Sequence, residues 1–339
     1  MKKFLSIISV ITVLTVLFTA CNGNKPLKNT ATENTTTEIS STEKTNINIA
    51  VLKGPTGIGA SKLMEMNENG ETANKYNFTV ATSPEQITAK LVSGELDIAF
   101  LPTNAVATLF NKTNGGVKLL GINTLGVLYI LEKGNSVNTV SDLKGKTVLT
   151  SGKGTVAEFT LNYILKKNGI DPEKDIDIQY VSEHSEVSSK AIAGTADIVM
   201  LPEPFVTSVL LQDKDFKIKI DLTEEWKKTE NTDLSMGAVA VRTQFLNNNK
   251  EAVADFYREY EESVKITVTD TEGASALTEK YGIMPAETAK QAIPNCNIVF
   301  IAGNEMKKSA EQFLKIVYSS DASLIGGKMP DEDFYYTAQ

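Results

Sequence analysis

The sequence predicts an α/β protein built as two similar halves with a cleft between them. Three observations carry this. Strand-like and helix-like segments alternate from Ile47 to Leu201, the pattern of parallel sheets with helices on both faces. The stretch 78–110 recurs at 178–210 without a gap: Lys90, Gly94, Asp97, Ile98, Leu101, Pro102 and Val106 return as Lys190, Gly194, Asp197, Ile198, Leu201, Pro202 and Val206. Beyond Leu222 the alternation gives way to a mostly helical tail, which fits as cover for the first half. Two strand ends closed by the same Leu-Pro turn would face each other across a small-molecule site.

The chain starts with Met1-Lys2-Lys3 and an apolar run from Phe4 to Phe18. That run is short of the roughly 20 residues a membrane span takes, and residues 1–20 match a secretory signal. Leu17-Phe18-Thr19-Ala20-Cys21 resembles the bacterial lipobox, with Phe18 where Leu is usual. The resemblance implies lipidation of Cys21. Residues 21–46 are dominated by Asn, Thr, Glu, Ser and Lys and bury too little to offset their ordering entropy. They are expected to be a disordered tether between a lipid anchor at the cell membrane and an extracytoplasmic body.

The body then unfolds element by element. Ile47–Leu52 is a strand, Lys53 to Gly59 a glycine-rich turn, and Ala60–Glu68 a helix. Tyr76–Ala81 is a second strand. Ser83-Pro84-Glu85 opens a helix with a capping serine, a proline at the first position and an acid in the first turn; Gly94 closes it. Asp97–Leu101 is a buried strand, Asn104–Asn111 a helix and Val117–Ile122 a strand. The cycle restarts with a strand ending at Leu149, the turn Ser151-Gly152-Lys153-Gly154-Thr155 and a helix Val156–Asn168. Ile176–Val181, Glu186–Ala193 and Asp197–Leu201 repeat strand, helix, strand. Met236–Arg242 is a strand, and Lys250–Val268 a long helix with Val253, Phe256, Tyr257, Tyr260 and Val264 on one side. Helices follow at Glu272–Tyr281, Pro285–Ile293 and Glu305–Ser319. The chain is expected to cross between halves near Asn123–Gly126 and near Val241–Phe245. That divides it into a first lobe, 47–124 with 244–339, and a second, 125–243.

The net charge is −8; without Lys2 and Lys3, 32 basic residues face 42 acidic. Such a balance argues against nucleic acid as a partner. Only Cys21 and Cys296 are present, so no disulfide framework is expected. Cys296 is expected to be a buried small hydrophobe rather than a nucleophile. No cluster has metal-ligand spacing, and neither a cofactor nor a metal is expected.

This layout resembles the type II periplasmic-binding-protein fold. Gly126–Leu131 with Val137–Val148 looks like the stretch by which the family's chain enters its second lobe. Gly152-Lys153-Gly154-Thr155 stands where the family places its second ligand loop, and Gly326–Pro330 with Phe334-Tyr335-Tyr336 looks like its C-terminal ending. Within the fold the chain is most similar to receptors for nitrate, taurine, aliphatic sulfonates and thiamin pyrimidine precursors. The resemblance implies two α/β lobes, a hinge and a central ligand cleft.

Ligands of parallel α/β sheets sit beyond the carboxyl ends of the strands. That rule selects Lys53, Thr56, Ser83, Thr103 and Asn104 from the first lobe. It selects Ser151, Gly152, Thr155, His184, Glu203 and Phe205 from the second, and Thr124 and Leu125 from the crossing. The two glycine-rich turns precede helices, so their N–H groups suit an acceptor or anion; as plain turns they need no ligand. His184 is the sole histidine and can pair with a carboxylate or a ring nitrogen, or simply be solvated. Glu203 takes the place of Thr103 in the echo. An acid there disfavours a bare anion and favours a ligand with N–H donors, while Phe205 can stack on a ring.

The expected function is capture of a small solute between two lobes for delivery to an ABC permease and its ATPase. The ligand expected is a polar heterocycle such as a thiamin pyrimidine precursor. The alternatives are a small anion (nitrate, taurine or an aliphatic sulfonate), or a pyrimidine-synthase-like enzyme on the same fold. With one free cysteine and one distant histidine the chain is expected not to be an enzyme, and it is expected to be a monomer.

Overall fold

The computed structural model of the protein describes residues 44–337. The expected signal segment, Cys21 and the tether up to residue 43 lie outside the described residues. Lys44 is held at the start of the body, its Nζ donating to the carbonyls of Gly70 (3.0 Å) and Thr72 (2.6 Å).

In chain order the first elements are β1 (Asn46–Leu52), α1 (Pro55–Ile58), α2 (Ser61–Glu68), β2 (Lys75–Ala81), α3 (Pro84–Ser93), β3 (Ile98–Pro102), α4 (Thr103–Lys112) and β4 (Val117–Thr124). Then come β5 (Leu128–Lys133), β6 (Thr147–Ser151), α5 (Val156–Lys167), β7 (Asp177–Val181), α6 (His184–Ile192), β8 (Ile198–Pro202), α7 (Phe205–Gln212), β9 (Phe216–Asp221) and α8 (Leu222–Glu230). The chain ends with β10 (Gly237–Arg242), α9 (Thr243–Asn248), α10 (Lys250–Thr269), α11 (Thr271–Lys280), α12 (Ala286–Ala292), β11 (Ile298–Ala302) and α13 (Gly303–Ser320).

Two sheets result, ordered β11-β4-β10-β3-β1-β2 and β7-β6-β8-β5-β9. Neither is purely parallel, contrary to expectation. β1 runs parallel to β2 and β3, and β6 to β7 and β8. β10 and β5 run antiparallel to β3 and β8. The reason is topological. A chain leaving one sheet at its strand ends enters the other at that same level, so it must run back against the strands that finish there. The second crossing also comes earlier than expected: β10 lies in the first sheet, so the chain returns before Gly237, not at Val241–Phe245. β9 and β11, unforeseen in the sequence, take edge positions.

The echo survives as geometry. Pro102 lies opposite Gly237 and Pro202 opposite Leu128. The amide of Thr103 donates to Met236 O (3.0 Å) and that of Glu203 to Val127 O (2.9 Å). At the other strand end Arg242 N donates to Asp97 O (2.9 Å) and Lys133 N to Asp197 O (2.8 Å). The first strands are an exception. Phe78 lies opposite Ile49, and Ile178 opposite Val148. The offset there is 99, not 100, and Thr56 corresponds to Thr155.

Alternation along the strands builds the cores. Ile49, Ile98, Phe100, Val239 and Val241 face α2 and α10. Ala50, Ala99, Leu101, Ala238 and Ala240 face α3, α4 and α13. This second cluster runs on into the other sheet through Leu128, Ile130, Leu234 and Trp226. Trp226 is fully buried, its ring 6.0 Å from Phe313 and 6.1 Å from Phe159. One apolar core therefore joins the two sheets.

Candidate functional site at the facing strand ends

The carboxyl ends of β1, β3, β6 and β8 converge. A side chain on Gly54 would begin 3.9 Å from Cδ of Pro204, and α12 packs against α7. The polar groups gathered here fall into three sets.

The first set lies in the second sheet. Ser151, the last residue of β6, is buried, and its Oγ stands 2.5 Å from Nδ1 of His184, the first residue of α6. The imidazole lies 5.3 Å from the Phe205 ring at 45°. Burial holds the His184 pKa below the ordinary histidine value, and nearby Glu183 only partly restores it. These three residues come from three different strand ends, as the sequence placed them.

The second set lies in the first sheet. Thr103 is fully buried, and its Oγ1 has no partner. Asn123 is equally buried; its Oδ1 accepts from Thr124 Oγ1 (3.4 Å), while its Nδ2 is unpartnered. Thr56 leans over Gly237: a Cβ on that glycine would sit 2.8 Å from Thr56 Cγ2 and 2.7 Å from Asn123 Oδ1. Only a residue without a side chain lets α1 and β4 approach so closely.

The third set is Glu203. Its carboxylate turns toward α7, accepting from Thr207 N (3.1 Å) and Thr207 Oγ1 (3.0 Å). It is 2 % exposed. Burial raises its pKa to about 7, against the hydrogen bonds of Thr207 and the neighbouring Asn295 side chain. Glu203, one residue before the N-cap Pro204, thus satisfies a first-turn N–H of α7 rather than facing outward.

Other expected site residues have local duties. Thr155 caps α5, its Oγ1 accepting from Ala157 N (3.2 Å) and donating to Gly152 O (2.6 Å). Gly152, at φ 77°, permits that turn. In the same loop Gly154 N donates to the Glu158 carboxylate (2.5 Å), so one donor of this anion-seeking turn is already met by an internal anion. Asn104 Nδ2 donates to Leu324 O (3.0 Å), tying α4 to the C-terminal segment. Lys53 is exposed, and Lys153 Nζ stands 5.5 Å over the Tyr180 ring. Ser83 precedes α3 with no capping bond from its side chain. Leu125 is partly buried, and its N–H donates to Asn297 O (3.1 Å).

With this geometry established, relatives can be compared. Residues 67–292 match the family described as ABC transporter, phosphonate, periplasmic substrate-binding protein. The chain belongs to that family. Among solved structures it is similar to an ABC transporter protein from Parabacteroides distasonis, with 26% identity, a TM-score of 0.74, and cover of 87% of this chain and 100% of that one. It also shares the fold of the periplasmic aliphatic sulphonate binding protein SsuA from Escherichia coli, with 17% identity, a TM-score of 0.70, and cover of 87% and 92%. A 62-residue stretch is 39% identical to part of YtlA from Bacillus subtilis, and the match spans 18% of this chain and 19% of that protein. The two-sheet architecture is therefore the periplasmic-binding-protein fold.

In this substrate-binding protein, four residues near the strand ends lie outside those expected from the sequence. Asn123 and Gly237 sit where the crossings meet, and their tell was only a polar residue and a glycine at strand ends. Glu158 could have been found as an acid in the first turn of a helix. Asn295 meets the second sheet 166 residues away from Tyr129, and nothing local marks it. An open groove of about 580 Å³ lies between α8 and α13, lined by Lys227, Asp233, Glu305 and Lys308 among others. None of the strand-end residues lines it.

Proposed function

We propose that this chain captures a small polar heterocycle, such as a thiamin pyrimidine precursor, between the strand ends of its two sheets. It hands the solute to an ABC permease and its ATPase. It works as a monomer held outside the cytoplasm by lipid on Cys21, and performs no chemistry on its cargo. The halves close by rotation about the two crossings, the ligand favouring the closed form.

The observation that carries the ligand reading is the Ser151–His184–Phe205 group. With Nδ1 engaged by Ser151, the imidazole has Nε2 left for a ring nitrogen or N–H. Phe205 adds an apolar wall for a planar ring. Across the site the Thr103 hydroxyl is unpartnered. Lys53 and Lys153 point to solvent or to Tyr180, which leaves the described side chains at the strand ends without a buried cation.

A small oxyanion is the second reading, favoured by the family description and by the hydroxyls of Ser151 and Thr103. The carboxylate of Glu158 on Gly154 N counts against it. The enzyme reading has little support: Cys296 is fully buried, and burial pushes its thiol pKa well up, the opposite of an activated nucleophile.

Thermal-shift and calorimetric titrations with 4-amino-5-hydroxymethyl-2-methylpyrimidine, ethanesulfonate, methylphosphonate and nitrate would decide between them. The pyrimidine is expected to bind, and more than tenfold more weakly after Phe205→Ala, the order a lost aromatic contact gives. Tight binding of ethanesulfonate or methylphosphonate with none of the pyrimidine sinks the heterocycle reading and leaves the receptor reading intact.

A further inference from the structure

The two sheets touch in two chemically different ways. One contact is apolar and central: Trp226 against Phe313, beside the Ser235–Ser309 hydroxyl pair at 2.7 Å. The other is polar and runs through the short segment 293–297. Ile293, Cys296 and Ile298 root this segment in the core of the first sheet. Asn297 fixes it to the first crossing, its carbonyl accepting from Leu125 N (3.1 Å) and its Nδ2 donating to Gly126 O (2.6 Å). Between these roots Asn295 faces the second sheet. Its carbonyl accepts from the Tyr129 hydroxyl of β5 (3.0 Å), and its side chain neighbours Glu203 at the head of α7. The helix just before the segment, α12, packs on α7.

We propose that residues 293–297 form a latch, in which the Asn295 carbonyl holds the Tyr129 hydroxyl, with its side chain beside Glu203, and keeps the two halves closed without touching the solute. The roots of the latch sit at the crossing, through Asn297 on Gly126, while Asn295 is held by Tyr129, which belongs to the second sheet, so rotation about the crossing strains this bond. The Tyr129–Asn295 bond joins a neutral hydroxyl to a carbonyl and contributes modestly, which suits a contact that has to open. The apolar contact at Trp226 lacks this property, because separating it would expose a continuous core. Capture strength is then set in part by residues remote from the ligand, through the population of the closed form. The latch stands whichever solute is captured.

Hydrogen exchange of the full chain, read by mass spectrometry with no solute added, tests this. Tyr129→Phe and Asn295→Ala are compared with wild type, singly and together. The latch predicts up to roughly tenfold faster exchange in peptides covering 53–57 and 151–155, the order expected from losing one neutral hydrogen bond. Those peptides follow β1 and end β6, at the carboxyl ends of the parallel strands of each sheet. Exchange confined to 203–212, with 53–57 and 151–155 unchanged, would reduce Asn295 to a local brace and overturn the proposal. If Asn295→Ala does not fold, Tyr129→Phe alone decides, since it removes one hydroxyl and keeps the ring. Failure of every tested solute to bind would not affect this readout.

Discussion

Ser151 Oγ lies 2.5 Å from Nδ1 of His184, which joins the end of β6 to the start of α6. The pair fixes the ring's orientation and leaves one nitrogen free. Because burial lowers the pKa of His184, the folded protein holds it neutral in a range where an unfolded chain would take up a proton. Its contribution to stability is present above the ordinary value of about 6.5 and is lost as pH falls below it. The sole histidine gives one Cε1–H signal in a carbon–proton correlation spectrum. That signal should titrate below the ordinary value, and Phe205→Ala, by admitting water, should move its midpoint upward. A midpoint at or above 6.5 in the wild type would refute the buried, neutral imidazole.

Glu203 predicts the opposite slope. Its pKa is raised to about 7 from the ordinary 4.5 by burial, so the folded form binds a proton that the unfolded form has released. This penalty on the folded state is absent below pH 4.5 and grows as pH rises toward 7, by up to about 3 kcal/mol over that window. Glu203→Gln keeps the shape and removes the ionisation. The variant should match wild type in urea unfolding near pH 5 and exceed it near pH 8. Equal stability differences at the two pH values would show that the carboxylate is not desolvated.

The fold was legible where local chemistry dictates it. Pro84 at the first position opens α3 and Gly94, at φ 85°, ends it, for reasons contained in those residues, although Ser83 makes no capping bond. The Leu-Pro echo was legible because both copies keep the same buried strand end. Direction was not: Gly237–Arg242 alternates and is buried on both faces whichever way it runs, so its antiparallel place in the first sheet follows from topology alone. At the strand ends, the places of Ser151, His184 and Phe205 along the chain were legible from position. Glu203 follows the end of β8, but its carboxylate accepts from Thr207, four residues on, because a helix start offers free N–H groups there. Asn295 and Tyr129 meet only through the tertiary fold.

Gly237 offers a test of how closely α1 is packed over the crossing. An added methyl would sit 2.7 Å from Asn123 Oδ1 and 2.8 Å from both Thr124 Cβ and Thr56 Cγ2, with backbone-anchored neighbours on each side. Gly237→Ala should cost about 1–3 kcal/mol, as overpacked sites do, and should displace Thr56. The expected signature is a lowered urea midpoint together with weaker binding of whichever probe the wild type takes up. Unchanged stability would mean that α1 yields freely and that the glycine is not required by close approach.

Trp226 tests whether the two sheets unfold as one body. Its ring is fully buried with Phe159, Tyr163 and Phe313 around it, and its Nε1 donates to Thr232 Oγ1 (3.2 Å). Phe159 and Tyr163 belong to α5, over the second sheet; Phe313 belongs to α13, over the first. Trp226→Ala removes the filler between them and should cost about 3–5 kcal/mol. In the wild type, fluorescence from this single tryptophan and far-ultraviolet circular dichroism should report one coincident urea transition, because the core is continuous across both sheets. In Trp226→Ala the dichroism transition should move to lower urea and broaden or split, as each sheet then relies on its own faces. A variant that keeps the wild-type midpoint and a single sharp transition would show that the joint between the sheets is carried elsewhere.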